Sequence, residues 1–180
     1  MKKKNLKPRN IKIKIRPPRL SDANSCAEMI NSLVDEKAMI SLQKKVTPKQ
    51  ELVYLKSLLK DIKDNKAISY AIDFNGKVMG MSGISSDNDN IGKHIGNIGI
   101  IVCLEARGMG LGEKLFQKVL IEGVKNLKFK IVKLDVFAKN KPAIGLYKKL
   151  GFQKIGLIKG GASYYGKYED EFIMVKYIKN

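Results

Sequence analysis

What this chain lacks narrows its chemistry first. It has two cysteines, Cys26 and Cys103, far apart and in no CxxC pair, and a single histidine, His94. A zinc site needs four nitrogen or sulfur donors at characteristic spacing, so none fits, and both cysteines read as small buried apolar residues. No apolar run approaches the ~18 residues of a membrane-spanning helix. Met1-Lys2-Lys3-Lys4 is charged like the head of an export signal, but Ile11-Lys12-Ile13-Lys14-Ile15 alternates where an apolar stretch is required. The expectation is a soluble, cytoplasmic protein without membrane contact. Acids are scarce beside bases: 17 Asp plus Glu against 35 Lys plus Arg, a formal charge of +18. Such a field attracts anions. Phosphate-bearing cofactors, RNA, the ribosome surface and acidic protein segments are all open as partners, alongside a lysine-rich surface that only solvates the fold.

At 180 residues, 44% of them hydrophobic and 29% charged, the chain has the size of one domain with a real core. Residues 1–10 read as a mobile basic arm carrying Lys2, Lys3, Lys4, Lys7 and Arg9, and residues 11–180 as the domain. Ile11 to Arg16 alternates with the period of a half-buried strand, ended by Pro17-Pro18. Ser21 or Asp22 can cap a helix to about Val34, and Thr47-Pro48-Lys49-Gln50 is a capping box with proline at the first helical position. Asn75-Gly76 between Ala67–Phe74 and Lys77–Ser85 predicts a tight hairpin. An exposed loop, Ser86 to Lys93, precedes a strand from His94 to Leu104, then a helix from Gly110 to about Asn126 and a strand from Lys130 to Ala138. Pro142 to Leu150 is a short helix, and two closing strands, Phe152–Lys159 and Asp170–Tyr177, flank Gly160-Gly161.

The chemistry concentrates at Arg107-Gly108-Met109-Gly110-Leu111-Gly112. Alternating glycines let successive N–H groups point into one concavity, and a following helix adds its positive end, so the turn suits a diphosphate. A P-loop fails, because Gly112-Glu113-Lys114-Leu115 has neither its spacing nor its hydroxyl. A dinucleotide fingerprint fails too, since Glu113 stands where glycine is needed and Asp135 falls in mid-strand. A plain tight strand-to-helix turn remains as the alternative.

Ile100 to Ala106 followed by Arg107 to Gly112 resembles motif A of the GNAT acetyltransferases, whose pattern is Arg or Gln, two residues, Gly, one residue, Gly or Ala. Asp135 to Phe152, with Asn140, Ala143, Leu146-Tyr147 and Gly151-Phe152, resembles motif B, and Tyr165 to Glu171 looks like the branch of bacterial amino-acid and ribosomal-protein N-acetyltransferases. The resemblance implies an α/β (α+β) fold: a mixed sheet of about six to seven strands, flanked by about four helices and splayed between the strands 94–104 and 130–138. It implies acetyl-coenzyme A as cosubstrate and an amine acceptor, which is an amino acid, a small amine or a protein N-terminus. Ile100, Val102, Leu104, Arg107, Gly108, Met109, Gly110, Leu111, Gly112, Asn140, Ala143 and Tyr147 would hold the cofactor. Of these, Val102 and Leu104 match positions that pair with the pantetheine arm, and the Ile100 N–H matches the group that polarises the acetyl carbonyl. Tyr147 matches the donor of a proton to the departing thiolate.

Bland roles stand beside each. Ile100 also fits an ordinary core strand, Asn140 a helix cap, and Tyr147 a packed ring with its hydroxyl on a carbonyl. An acceptor amine of pKa near ~10 must lose a proton before attack. No base declares itself among His94, Glu105, Asp135, Glu169 and Asp170. Two rival functions stay open: an RNA- or ribosome-associated module using the arm with Tyr164, Tyr165, Tyr168, Lys159 and Lys167, and a coenzyme A-binding domain without catalysis. A homodimer is likewise open.

Overall fold

The computed structural model describes residues 12–86 and 91–179; the basic arm of residues 1–10 and residues 87–90 of the expected loop lie outside them. Asn75 and Gly76 adopt φ of 51° and 92°, the angles of a tight hairpin, and join β2 (Ala67–Phe74) to β3 (Lys77–Ser86). β1 (Ile13–Arg16) pairs with β2 on one side and β4 (Ile95–Val102) with β3 on the other, both antiparallel. β5 (Ile131–Phe137) is parallel to β4, the connection crossing over through a helix as a parallel pair requires.

The last two strands depart from the sequence expectation. Gly160-Gly161 does not end a strand; β6 (Gln153–Tyr164) runs through it on a register shift between Ile158 and Ala162, and pairs with β7 (Lys167–Tyr177). The shift is a bulge in which the Gly160 N–H donates to Asp170 Oδ1 at 2.9 Å, so the extra residues are absorbed without breaking the ladder. The chain reverses instead at Tyr165-Gly166, with φ of 46° and 78°. The described sheet has seven strands in the order β1-β2-β3-β4-β5-β7-β6. With four α-helices, this is the mixed α/β architecture that the resemblance implies.

α1 (Ala23–Asp35) follows a turn at Leu20–Asp22. α2 (Pro48–Lys63) opens on the expected box: the Gln50 N–H donates to Thr47 Oγ1 at 3.3 Å and the Thr47 N–H to Gln50 Oε1 at 2.8 Å. α3 (Leu111–Leu127) packs on β2, β3 and β4, and Gly123 sets its distance, because a Cβ there would lie 2.6 Å from Ile84 Cγ2. α4 (Lys141–Lys149) packs beside β5. The core divides into two clusters. One joins Met29, Leu33 and Leu55 of α1 and α2 to Ile72 and Val78. The other joins Phe116 and Val119 of α3 to Val132, Tyr147 and Met174.

One ion cluster fastens the first edge. The Arg16 guanidinium donates to both Asp22 oxygens, at 2.7 and 2.8 Å, and to Asp73 Oδ2 at 2.6 Å. With the Arg16 side chain only 11% exposed, truncation would strand a buried carboxylate, Asp22, and a half-buried one, Asp73. Burial alone would discourage ionisation of Asp73, but Arg16 and the Gly76 N–H outweigh it and hold the carboxyl below its ordinary value. That contribution is complete above the unfolded-state pKa of ~3.9 and is lost as pH falls through the lower folded value. Arg16→Ala is expected to cost about 3 kcal/mol in urea unfolding. In the native protein the urea midpoint should drop between pH 6 and pH 3, and Asp73→Asn should flatten that slope; an unchanged slope would remove Asp73 from the account.

Candidate active site

β4 and β5 begin side by side, with Ile95, Gly96 and Asn97 opposite Ile131, Val132 and Lys133, and their pairing stops there. Both strands run on, but Val102 stays with Gly80 of β3 while Phe137 stays with Glu171 of β7. Each strand follows its own half of a twisted sheet, and a wedge opens between them. A cavity of about 940 Å³ occupies the wedge.

Hydrogen-bond phase decides what β4 offers it. The Cys103 N–H donates to the Met79 carbonyl at 2.9 Å, and in an antiparallel ladder alternate residues point the same way. Ile101 and Gly99 therefore share the β3 side with Cys103, and the N–H groups of Ile100 and Val102 face the wedge. β4 is shorter than expected. It ends at Val102, because the Ala106 and Arg107 N–H groups close a 3₁₀ turn on Cys103 and Leu104. Leu104, expected at a pairing position, lies on that turn, 64% exposed and outside the cavity lining.

At one end of the cavity stands the glycine turn. Gly108 and Gly110 take φ of 73° and 71°, and Gly110 caps α3. The N–H groups of residues 108 to 113 make no hydrogen bond to any described residue. A run of unspent amides at the start of a 17-residue helix is an anion cradle in which the macrodipole and the donors act together. Gly108, Gly110 and Gly112 line the cavity, whereas Met109 is half exposed and Leu111 packs against the first core cluster, so these two offer only main chain. Arg107 lines the cavity too, with its guanidinium engaged: Nε donates to the Val102 carbonyl at 2.9 Å, and the rest pairs with Glu36 at the end of α1. Such a cradle fits a diphosphate.

Asn140, Ala143 and Tyr147 line the opposite wall. Asn140 caps α4, its Oδ1 accepting from the Ala143 N–H at 3.2 Å, which leaves its amide N–H₂ for a ligand. Tyr147 packs against Phe116 and Phe152 with ring centroids 5.2 and 6.1 Å away. No described group bonds its hydroxyl, and no described side-chain nitrogen or oxygen is sealed without a partner. The phenol oxygen therefore opens into the cavity rather than resting on a carbonyl. Burial pushes its pKa up to about 12.

Three carboxylates line the cavity: Glu113, which is paired with Lys149, and Asp135 and Glu171, which have no ion pair among the described residues. Since Phe137 lies opposite Glu171 and Asp135 is two residues away on β5, both fall on one face of the sheet. Burial first, then the Asp135 charge, raises the Glu171 pKa. Among the residues first considered as bases, Glu169 is paired with Lys139, Asp170 accepts from Gly160, and Glu105 is exposed on the turn. His94 precedes β4 as an exposed turn residue outside the cavity lining. Glu171 was missed in the sequence because its face depends on the β6–β7 turn, placed there at Gly160-Gly161; the alternation of Glu169, Glu171 and Ile173 was the available signal.

Over the cavity, the segment from residue 36 to 46 meets the β6–β7 turn. Gln43 Nε2 donates to the Ser163 carbonyl and Gln43 Oε1 accepts from the Tyr165 N–H; the Tyr164 and Tyr165 hydroxyls donate to the Lys37 and Val34 carbonyls. The rings of Tyr164 and Tyr165 are engaged edge-on with each other, and Tyr164 with Phe137. Of the three tyrosines considered for base stacking, only Tyr168 is broadly exposed, at 82%.

Residues 33–152 match the Acetyltransferase (GNAT) family. An N-alpha-acetyltransferase of Sulfolobus acidocaldarius is 31% identical over 152 residues, covering 79% of this chain and 87% of that protein. Among solved structures, the ribosomal-protein-alanine N-acetyltransferase of Brucella melitensis superposes with a TM-score of 0.81 over 92% of this chain and 99% of that one, at 22% identity. A Salmonella typhimurium protein, described as an acetyltransferase and solved with its cofactor acetyl-CoA, gives 0.81 over 93% and 95% at 18% identity. At such identities these two structures share the fold with this chain.

The glycine turn separates backbone strain from crowding. A Cβ at Gly108 or Gly110 would meet nothing within 4 Å, so alanine there pays only for positive φ. Gly108→Ala and Gly110→Ala should each destabilise by about 1 kcal/mol in urea unfolding. Gly112, inside α3, would bring its Cβ to an ordinary 3.5 Å from Val102, and Gly112→Ala should be neutral or slightly stabilising. Equal costs at all three positions would contradict the assignment.

Proposed function

We propose, from the premise that the chain belongs to the Acetyltransferase (GNAT) family and is an acetyl-coenzyme A-dependent acetyltransferase, that it acetylates the α-amino group of a polypeptide by direct attack in a ternary complex. One observation carries this: a single cavity runs between parted strands from a cradle of unspent amides to a pair of carboxylates. The relative named N-alpha-acetyltransferase, 31% identical, supports the choice of an α-amine.

Acetyl-coenzyme A supplies an acetyl thioester. The amides of residues 108 to 113 hold its diphosphate, and the Ile100 and Val102 N–H groups face the wedge in which its arm would lie. The Ile100 N–H donates to the acetyl carbonyl and favours the charge that grows there on attack. Glu171 takes the proton that the amine sheds, helped by a pKa raised toward the working range. As the new C–N bond forms and the C–S bond breaks, the Tyr147 hydroxyl gives a hydrogen bond and a proton to the sulfur, and the second proton, shed by the acylated nitrogen, restores the phenol. At about 12, that phenol is a weaker acid than an ordinary thiol near ~8.5, so it is still protonated when the sulfur leaves, and the transfer is completed by the far more acidic N–H of the acylated nitrogen.

Two outcomes check this. Acetyl-coenzyme A at 100 times its Kd should raise the melting temperature by the equivalent of about 2.7 kcal/mol, and a flat response at saturation would refute the cradle. With a peptide acceptor, Tyr147→Phe should lower kcat by roughly 10²-fold with little change in the KM for acetyl-coenzyme A. Glu171→Gln should abolish the acid limb of the kcat/KM profile, and Asp135→Asn should move that limb to lower pH, because the like charge that helps raise Glu171 is gone. Were the limb to stay put in both variants, the base would lie elsewhere.

A further inference from the structure

Around the mouth of the cavity the charges are unevenly spent. Asp35 is paired with Lys45 at 2.9 Å, Glu169 with Lys139 at 2.7 Å, and Glu36 with Arg107. Three lysines at the same junction have no acid. Lys37 gives its carbonyl to the Tyr164 hydroxyl and holds its ammonium 5.7 Å from the Tyr165 ring centroid. Lys44 follows Gln43, the residue that bridges to Ser163 and Tyr165. Lys167 lies opposite Tyr164 in the β6–β7 register. All three are exposed, and none has an ion pair among the described residues. Inside, the cavity carries the opposite sign through Asp135 and Glu171.

We infer that the enzyme selects N-termini whose first residue is uncharged and whose next few residues are acidic. This deepens the α-amine assignment above and depends on it. The carboxylate pair receives the ammonium, and the first side chain meets Met39, Ile40 and Phe137, apolar residues of the lining. The Gln43–Ser163 and Gln43–Tyr165 bonds roof the cavity, so the acceptor enters as an extended chain. At ~3.4 Å per extended residue, its second to fifth residues emerge past the roof, where Lys37, Lys44 and Lys167 stand. Acidic side chains there complete three unpaired cations; basic ones meet like charge on the rim of a protein of net charge +18. Specificity arises from the difference between floor and rim rather than from overall charge, which a uniformly basic surface would not give.

The test uses the full chain and acetyl-coenzyme A with three peptides sharing an N-terminal serine, followed by acidic, neutral or basic residues at positions two to five. Free-thiol release gives kcat/KM for each. The acidic peptide should exceed the neutral one by on the order of tenfold at low salt, with the gap closing at 0.5 M salt, and the basic peptide should fall below both. In Lys44→Glu/Lys167→Glu the order of acidic and basic peptides should reverse. Equal kcat/KM for the three peptides, or a gap indifferent to salt and to charge reversal, overturns the proposal while the acetyltransferase assignment stands. Equal turnover together with salt-sensitive binding of polyuridylate would give the lysines to RNA, also against the proposal. If no peptide is turned over while a small amine is, the α-amine assignment falls and the selectivity falls with it.

Discussion

Everything in this molecule depends on a sheet that is not allowed to close. β4 and β5 pair through only three residues each before parting, which leaves main-chain donors of Ile100 and Val102 unmatched inside the fold. Unmatched backbone groups away from water cost free energy comparable to a lost hydrogen bond. The native state bears this because the strands are held apart by stronger partners: β4 by its full ladder to β3, β5 by its ladder to β7 along its whole length. The gap is a property of two well-made half-sheets, not of a weak one. A ligand with an extended, hydrogen-bonding arm would recover what the ladder gives up.

The same division runs through the core. One cluster gathers α1, α2 and the β2–β3 hairpin, the other α4 and the β5–β7 pair, and α3 joins them, packing on β2, β3 and β4 while its Phe116 and Val119 reach the second cluster; the cavity lies along the seam of the sheet. Few groups bridge the seam by specific bonds. Arg107 ties the glycine turn to the end of α1 through Glu36, and Gln43 with Tyr164 and Tyr165 ties the segment after α1 to the β6–β7 turn. The glycine turn and the roof of the cavity therefore share one helix end as a common anchor.

How much of this could be read from residues alone follows from the range of the interactions. Asn75-Gly76, the Thr47–Gln50 box and the positive φ of Gly108 and Gly110 were legible because each is decided within four residues. Leu104 was misjudged because an apolar residue after Val102 continues the strand pattern, while two backbone hydrogen bonds close a 3₁₀ turn instead. The β6–β7 turn was misplaced for a related reason: Gly160-Gly161 carries the stronger local signal, but Tyr165 tolerates φ of 46° beside Gly166, and pairing across the whole hairpin outweighs one strained residue. The face of Glu171 depends on that register, so its alternation with Glu169 and Ile173 was visible but could not be assigned to the cavity. The engagement of Arg107 with Glu36, 71 residues apart, has no local signature at all.

On the proposed assignment, Asp135 and Glu171 let a strongly basic protein receive an amine. A field of +18 repels cations at long range, but at ~0.15 M salt it decays over about 8 Å, so an ammonium inside the cavity is governed by the charges it touches. Two carboxylates in a half-buried site repel each other, and that repulsion adds to burial in raising Glu171. An arriving ammonium relieves it, stabilising the ionised pair and itself. Once the proton passes to Glu171, the pair holds one proton between two acids and the repulsion is relieved a second time. In the proposed mechanism the like-charge pair thus favours binding of the ammonium, whose contact opposes the proton transfer, and favours the proton on Glu171 only as the neutral amine moves off to attack the thioester.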